Sequence, residues 1–281
     1  MKRITVLVFL LLVGSAGAVH AATPVIPEIS KAIDRLYNFD FQGTHAALDR
    51  YIAAHPDESL PYAMRASAYL FYELDRLGIL ESQFFASDKR IASKTKVRPD
   101  PAVRAAFLRA CGDAETRATL TLAEHPNDEN ALFAMAVTLG VMTDYTAFVE
   151  KKQFGSLSSA KGSNTYAQRL LKLDPGFTDA YVTAGLSEYL LGSLPFFVRW
   201  FVHFDGVEGS KERGVEQLQR AASQGRYLKS FAKILLGLIY LREKQPAQTR
   251  QLLAELVHDY PENPLFRREL ARFSTQTASA Q

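Results

Sequence analysis

Beyond residue 21 the chain carries five histidines, His45, His55, His125, His203 and His258, and one cysteine, Cys111. Metal chemistry needs several such side chains on one face, as an i, i+4 pair or an HExxH run provides. None of these histidines is so paired, and neither a GxSxG turn nor a GxxxxGK[ST] loop occurs. Cys111 sits in an alanine-rich stretch with no base beside it, so it reads as a small core residue rather than a nucleophile. His55 and His125 each precede a proline and read as the last residues of helices, meeting the helix dipole. One acid–base candidate is left, Glu188 with Asp205. Two carboxyl groups divide into acid and base only where their surroundings pull the two pKa values apart, and nothing in the sequence does so. The pair reads as hydrogen-bonded structure. The expectation is a protein that is not an enzyme and uses no metal or cofactor.

Two further stretches carry concentrated chemistry. In Leu194–Phe204 the residues Phe196, Phe197, Trp200, Phe201 and Phe204 recur at helical spacing and form an aromatic stripe, with Arg199 and His203 beside it. The stripe reads first as an internal plug packed on the rest of the fold. The alternatives are a lid over an apolar ligand and, third, a surface that dips into a membrane interface, where one Arg and one His give little attraction to anionic lipid. The second stretch is a basic loop with Lys89, Arg90, Lys94, Lys96 and Arg98 against Asp88 and Asp100. It can hold an acidic partner, a phosphate or a lipid headgroup, but it reads first as a solvated loop. It has no interleaved aromatic residues for stacking bases.

The elements that must position these residues are helices. Ser230–Asn263 reads as two helices joined by a turn. Leu236, Gly237 and Tyr240 share a face of the first, Pro246 lies in the turn, and Leu253, Leu256 and Val257 line the second before Pro261 stops it. A proline after a Leu- or Ala-rich run recurs at Pro56, Pro126 and Pro175, with gaps of 70, 49 and 86 residues along the series ending at Pro261. Two short helices cannot bury their apolar faces alone, so such hairpins stack. The pattern gives hairpins from Ile29, Leu60, Glu129, Thr178 and Ser230, with insertions at about 78–101 and 191–209. Helix Pro264–Phe273 caps the series.

These residues resemble the tetratricopeptide repeat, whose unit of about 34 residues fits the gaps as whole units plus insertions. The small residues Ala66, Ala136, Gly185 and Gly237 stand where paired helices approach most closely in that family. The match is strongest at Ala180-Tyr181 with Ala184-Gly185 and at Leu236-Gly237 with Tyr240. It departs in the first hairpin and at Thr249, where the pattern favours alanine. The order of the aromatic stretch, Lys211–Ser223 and the last hairpin also resembles the tetratricopeptide repeat protein 39 family of eukaryotes. The resemblance implies an all-α fold, a right-handed α-solenoid of about five hairpins whose first helices line a concave face that holds a protein or peptide. The family's register places Asn130, Phe133, Val137, Val182, Leu186, Tyr189, Ile234 and Leu238 on that face. The face is mostly apolar, and helices apolar nearly all round are covered on both sides. Something is expected to fill the groove.

At the start of the chain, Lys2 and Arg3 lead an apolar run and then small residues, the pattern of a secretory signal peptide cleaved after Ala21. Cleavage leaves 31 basic against 30 acidic residues, a balance that argues against nucleic acid as a partner. Residues 22–273 form one helical-repeat domain, and 274–281 a disordered polar tail. The expectation is a soluble periplasmic or secreted scaffold that binds a protein or peptide and is not integral to the membrane. The competing class is a carrier of an apolar small molecule with the 191–209 insertion as its lid.

Overall fold

The structure, a computed structural model, describes residues 23–82, 98–152, 154–194, 204 and 206–278 of the chain, with side chains as far as Phe273. Those residues form eleven α-helices and no strand. In order they are α1 (Pro27–Tyr37), α2 (Phe41–Ala54), α3 (Leu60–Arg76), α4 (Pro101–Glu124) and α5 (Glu129–Asp144). Then follow α6 (Leu157–Leu173), α7 (Ala180–Ser193), α8 (Lys211–Gln224), α9 (Lys229–Arg242), α10 (Pro246–Asp259) and α11 (Pro264–Ala278). A π-helical turn, Tyr145–Val149, extends α5.

Helices α1 and α2, α3 and α4, α5 and α6, α7 and α8, and α9 and α10 pack as pairs. Each even-numbered helix also packs on the odd-numbered helix that follows it, and α1, α3, α5, α7 and α9 touch in succession. The prolines act as local chemistry requires. Pro27, Pro61, Pro101 and Pro246 stand in the first turns of helices, where the missing N–H costs nothing. Pro246 therefore opens α10. The residues before Pro56, Pro126, Pro175 and Pro261 are the C-caps His55, His125, Asp174 and Tyr260, each donating its N–H to the carbonyl four residues back. Asp40, Asp100, Asp128 and Ser210 cap helix starts with side-chain oxygens.

The proline turns are also clasped across the chain. Arg117 of α4 donates to the Pro56 carbonyl, Arg169 of α6 to that of Pro126, and Arg220 of α8 to that of Pro175. Arg117 lies 4.0 Å over the Tyr62 ring and Arg220 lies 4.5 Å over Tyr181. Those two tyrosine hydroxyls donate to the same proline carbonyls at 3.0 and 3.3 Å. One arrangement of Arg, Tyr and Pro thus recurs in two units, with the arginine alone in a third.

The small-residue positions differ from one pair to the next. A Cβ on Gly185 would come within 2.8 Å of the Gly214 carbonyl oxygen, so α7 and α8 meet backbone to backbone. In the α5–α6 pair the Ser163 hydroxyl donates to the Ala136 carbonyl at 2.7 Å. In the α9–α10 pair the buried Thr249 hydroxyl donates to the Gly237 carbonyl at 3.0 Å, which explains a threonine where alanine is expected. The missing side chain of Gly237 is not what allows that contact. A Cβ there would meet nothing within 4 Å.

One expectation changes at the C-terminal end. Helix α11 continues to Ala278, so residues 274–278, expected to be part of a disordered tail, are helical. The stretch Glu129–Val149 is long and apolar enough, by length and composition, to cross a membrane. Half of that stretch is buried, and Leu132, Phe133 and Ala136 on it belong to the largest core cluster. Residues 1–21, expected from the sequence to be a signal peptide, lie outside the described residues.

Candidate interaction surface

The inner-face residues named by the family register come together in the core. Phe133 and Val137 on α5 and Val182 and Tyr189 on α7 are buried, with Phe133 only 1% exposed. Asn130, Leu186, Ile234 and Leu238 are half-buried. Phe133 is covered by other parts of the chain. Phe133 lies 5.0 Å from Phe177 and stacks at 5.9 Å on Tyr227, in the turn before α9. Tyr37 at the end of α1 sits 6.1 Å from Phe71 of α3 and 5.4 Å from Tyr260 at the end of α10. Phe71 in turn meets Phe231 of α9 edge-on at 5.9 Å.

The end of α1 therefore meets the end of α10 and the turn that leads into α11. Asn263, fully buried, donates its amide to the Tyr37 carbonyl at 2.6 Å while its oxygen caps the start of α11. The Glu262 N–H donates to the Asn38 side chain at 3.2 Å. Near the N-terminus, Arg226 donates to the Thr23 carbonyl, Thr23 donates its hydroxyl to Glu129, and the Ile26 N–H donates to the Tyr227 hydroxyl at 2.8 Å. None of these partners is legible from local sequence, because the pairs lie 106 to 226 residues apart.

Two buried carboxylates hold the turns that precede helices. Asp179, fully buried, accepts from the N–H groups of Arg226, Tyr227 and Leu228 at 2.6 to 3.1 Å. Burial pushes its carboxyl above the usual range, and the backbone donors pull it back. Glu188 accepts from the N–H groups of Glu208, Gly209 and Ser210 and from Arg213 at 2.6 Å. Its oxygens are committed to the start of α8, the hydrogen-bonded role expected from sequence; Asp205 lies outside the described residues.

The remaining chemistry-bearing residues are placed as follows. Burial pushes the Cys111 thiol up to about 12, with Glu115 adding to the effect. His45 stacks at 4.2 Å on Tyr69, and burial lowers its pKa. His55 stacks at 4.5 Å on Tyr51, and His125 and His258 are exposed. Among the described residues no three metal-ligating side chains come together. In the aromatic stripe, Phe204 is buried, while Phe196, Phe197, Trp200 and Phe201 lie outside the described residues. In the basic loop, Arg98 is exposed and its carbonyl accepts from Arg76; Lys89, Arg90, Lys94 and Lys96 lie outside the described residues.

Open surface exists at the first pair. A cleft of about 710 Å³ runs between α1 and α2 and is lined by Glu28, Lys31, Asp34, Arg50, His55 and Glu262 among others. Burial raises the Asp34 carboxyl, and Arg35 donates to Asp40 at 2.7 Å on the rim. A second cleft, of about 420 Å³, lies over α8, α9 and α10 and presents Gln219, Gln248 and Gln251 beside Tyr240 and Leu252. The first surface offers charged and polar groups to a partner, while the second mixes polar groups with apolar Ala222, Leu236 and Leu252. Neither a family model nor a curated protein matches the chain. The functional reading rests on the geometry.

Proposed function

We propose that this chain is a non-catalytic interaction scaffold of the cell envelope, a right-handed stack of five tetratricopeptide-like hairpins with α11 as its cap. Three observations support the architecture: the pairwise order of helix contacts, the recurring C-caps before proline, and the arginine clasp on successive proline carbonyls. A stack of hairpins in this order is what buries faces that no single pair can cover.

The observation that carries the functional reading is the contrast between a filled inner face and an open polar cleft at its edge. Phe133 and Val182 are spent on internal packing, so a partner meets the α1–α2 edge, where charges of both signs line the cleft. Such mixed charge suits a polar protein segment better than an apolar small molecule, which a carrier would enclose between the third and fifth hairpins. The protein is taken to act after export, with the leader removed.

Photo-crosslinking in cells tests this, with a crosslinkable residue placed at Lys31 or Arg50, both exposed on the cleft, and at Leu120, exposed on α4, as control. One envelope protein captured from the two cleft positions and not from the control is the expected result. Equal capture at all three positions, or none at the cleft, removes the reading.

A further inference from the structure

Residues Thr23–Ile26 run extended, with Pro24 and Val25 facing solvent, and are held at both ends. Of the polar contacts that hold them, two go to backbone: Arg226 donates to the Thr23 carbonyl and the Ile26 N–H donates to the Tyr227 hydroxyl at 2.8 Å. The Thr23 hydroxyl donates to Glu129, the Ile26 carbonyl accepts from the Ser30 N–H at 3.0 Å as the N-cap of α1, and Ile26 packs on the cluster that contains Phe133 and Tyr227. The cradle is rigid for reasons that do not involve the arm. Asp179 fixes the turn that carries Arg226 and Tyr227 through three backbone amides, and the Arg226 guanidinium lies 5.0 Å over Phe177. Phe133 backs the Tyr227 ring.

We propose that this cradle is a receptor for an extended, uncharged peptide segment bearing a hydroxyl residue followed three positions later by a β-branched apolar one, and that Thr23–Ile26 occupies it in cis. Recognition through the main chain at two points and one hydroxyl is tolerant of sequence, so a segment of another protein can replace the arm. The arm is tethered, which raises its local concentration and keeps the site closed to weak ligands. A partner must outcompete it. This deepens the scaffold reading and rests on it, adding a regulated site to the edge cleft.

The test uses the mature full-length chain and a fluorescent peptide copying residues 22–27. In a Thr23→Gly, Ile26→Gly variant the arm is loosened, and the peptide is expected to bind at least tenfold tighter than to the parent by anisotropy. Adding Tyr227→Phe, which keeps the ring on Phe133, is expected to weaken that binding about fivefold to tenfold, the loss of one hydrogen bond. No binding to the loosened variant, or binding indifferent to Tyr227→Phe, overturns the proposal. A concentration-dependent dimer with exchanged arms also overturns it, by making a second copy the occupant. Should the loosened variant fail to fold, hydrogen exchange on the parent decides. The Ile26 amide is expected to exchange at least a hundredfold faster than amides in α5, whereas exchange only with global unfolding means an arm that never leaves. The peptide assay reads the cradle alone and the Lys31 and Arg50 crosslinks read the edge cleft, so either can fail without the other.

Discussion

At the scale of single residues, the glycines separate two kinds of small-residue position that look alike in sequence. Gly185 and Gly237 both occupy the family's close-approach position, yet only Gly185 has backbone against it, with the Gly214 carbonyl oxygen 2.8 Å from where a Cβ would stand. Gly185→Ala must push α7 from α8, and overpacking of this kind costs about 1–3 kcal/mol. Gly237→Ala meets no atom within 4 Å. It gains helix propensity and is expected to stabilise by about 0.5–1 kcal/mol. Urea melts of the two variants check the contrast, and equal destabilisation would contradict it. The sequence reading expected close approach at both positions, which holds at Gly185 and fails at Gly237. It did not tell them apart, since the deciding atoms belong to residues on the partner helix. Thr249 makes the same point in reverse: a departure from the pattern is accommodated by one hydroxyl–carbonyl bond to Gly237.

At the scale of elements, helix positions were legible and the links between them were not. Prolines, capping carboxylates and apolar periodicity are local signals, and they placed most helix boundaries within a few residues. The arginine clasps join residues 43 to 61 apart, and no local pattern selects which arginine reaches which carbonyl. The start of α8 shows what such links are worth. Glu188, 2% exposed, holds three backbone N–H groups and Arg213. Glu188→Gln removes the charge and turns one acceptor into a donor facing donors. With Arg213 about a third exposed and so partly rehydrated, the expected cost is about 2–4 kcal/mol, below that of breaking a wholly buried pair. Amide exchange of Gly209 and Ser210 should rise more than that of α3. Uniform acceleration across the protein would mean that the carboxylate acts on global stability alone.

At the scale of the whole molecule, the sequence implied that the apolar inner face is covered, and it offered the aromatic insertion as the nearest cover. Most of that insertion lies outside the described residues; within them, Tyr37, Phe71, Phe231 and Tyr260 join helices from the two ends of the chain, and Tyr37 and Asn263, 226 residues apart, are hydrogen-bonded. Asn263 lets that closure be tested apart from helix capping. Its oxygen accepts from Leu265 and Phe266 at the start of α11, and its amide donates to the Tyr37 carbonyl. Aspartate caps as well as asparagine does, so Asn263→Asp preserves the cap. It also sets a buried carboxylate against a carbonyl and removes the donor that joins the two ends. If closure stabilises the fold, Asn263→Asp should cost about 2–4 kcal/mol at neutral pH, at least as much as Asn263→Ala, and the loss should shrink as pH falls from the raised folded-state pKa to the ordinary carboxylate value. The sign follows from burial of a second carboxylate oxygen that faces the Tyr37 carbonyl with no donor, which outweighs the two capping N–H groups on the first: the folded-state pKa of the new carboxyl rises, so protonation at low pH restores stability. Chemical melts at pH 7 and pH 4 measure both effects. An Asn263→Asp variant that melts with the parent at both pH values would show that the ends meet without holding each other.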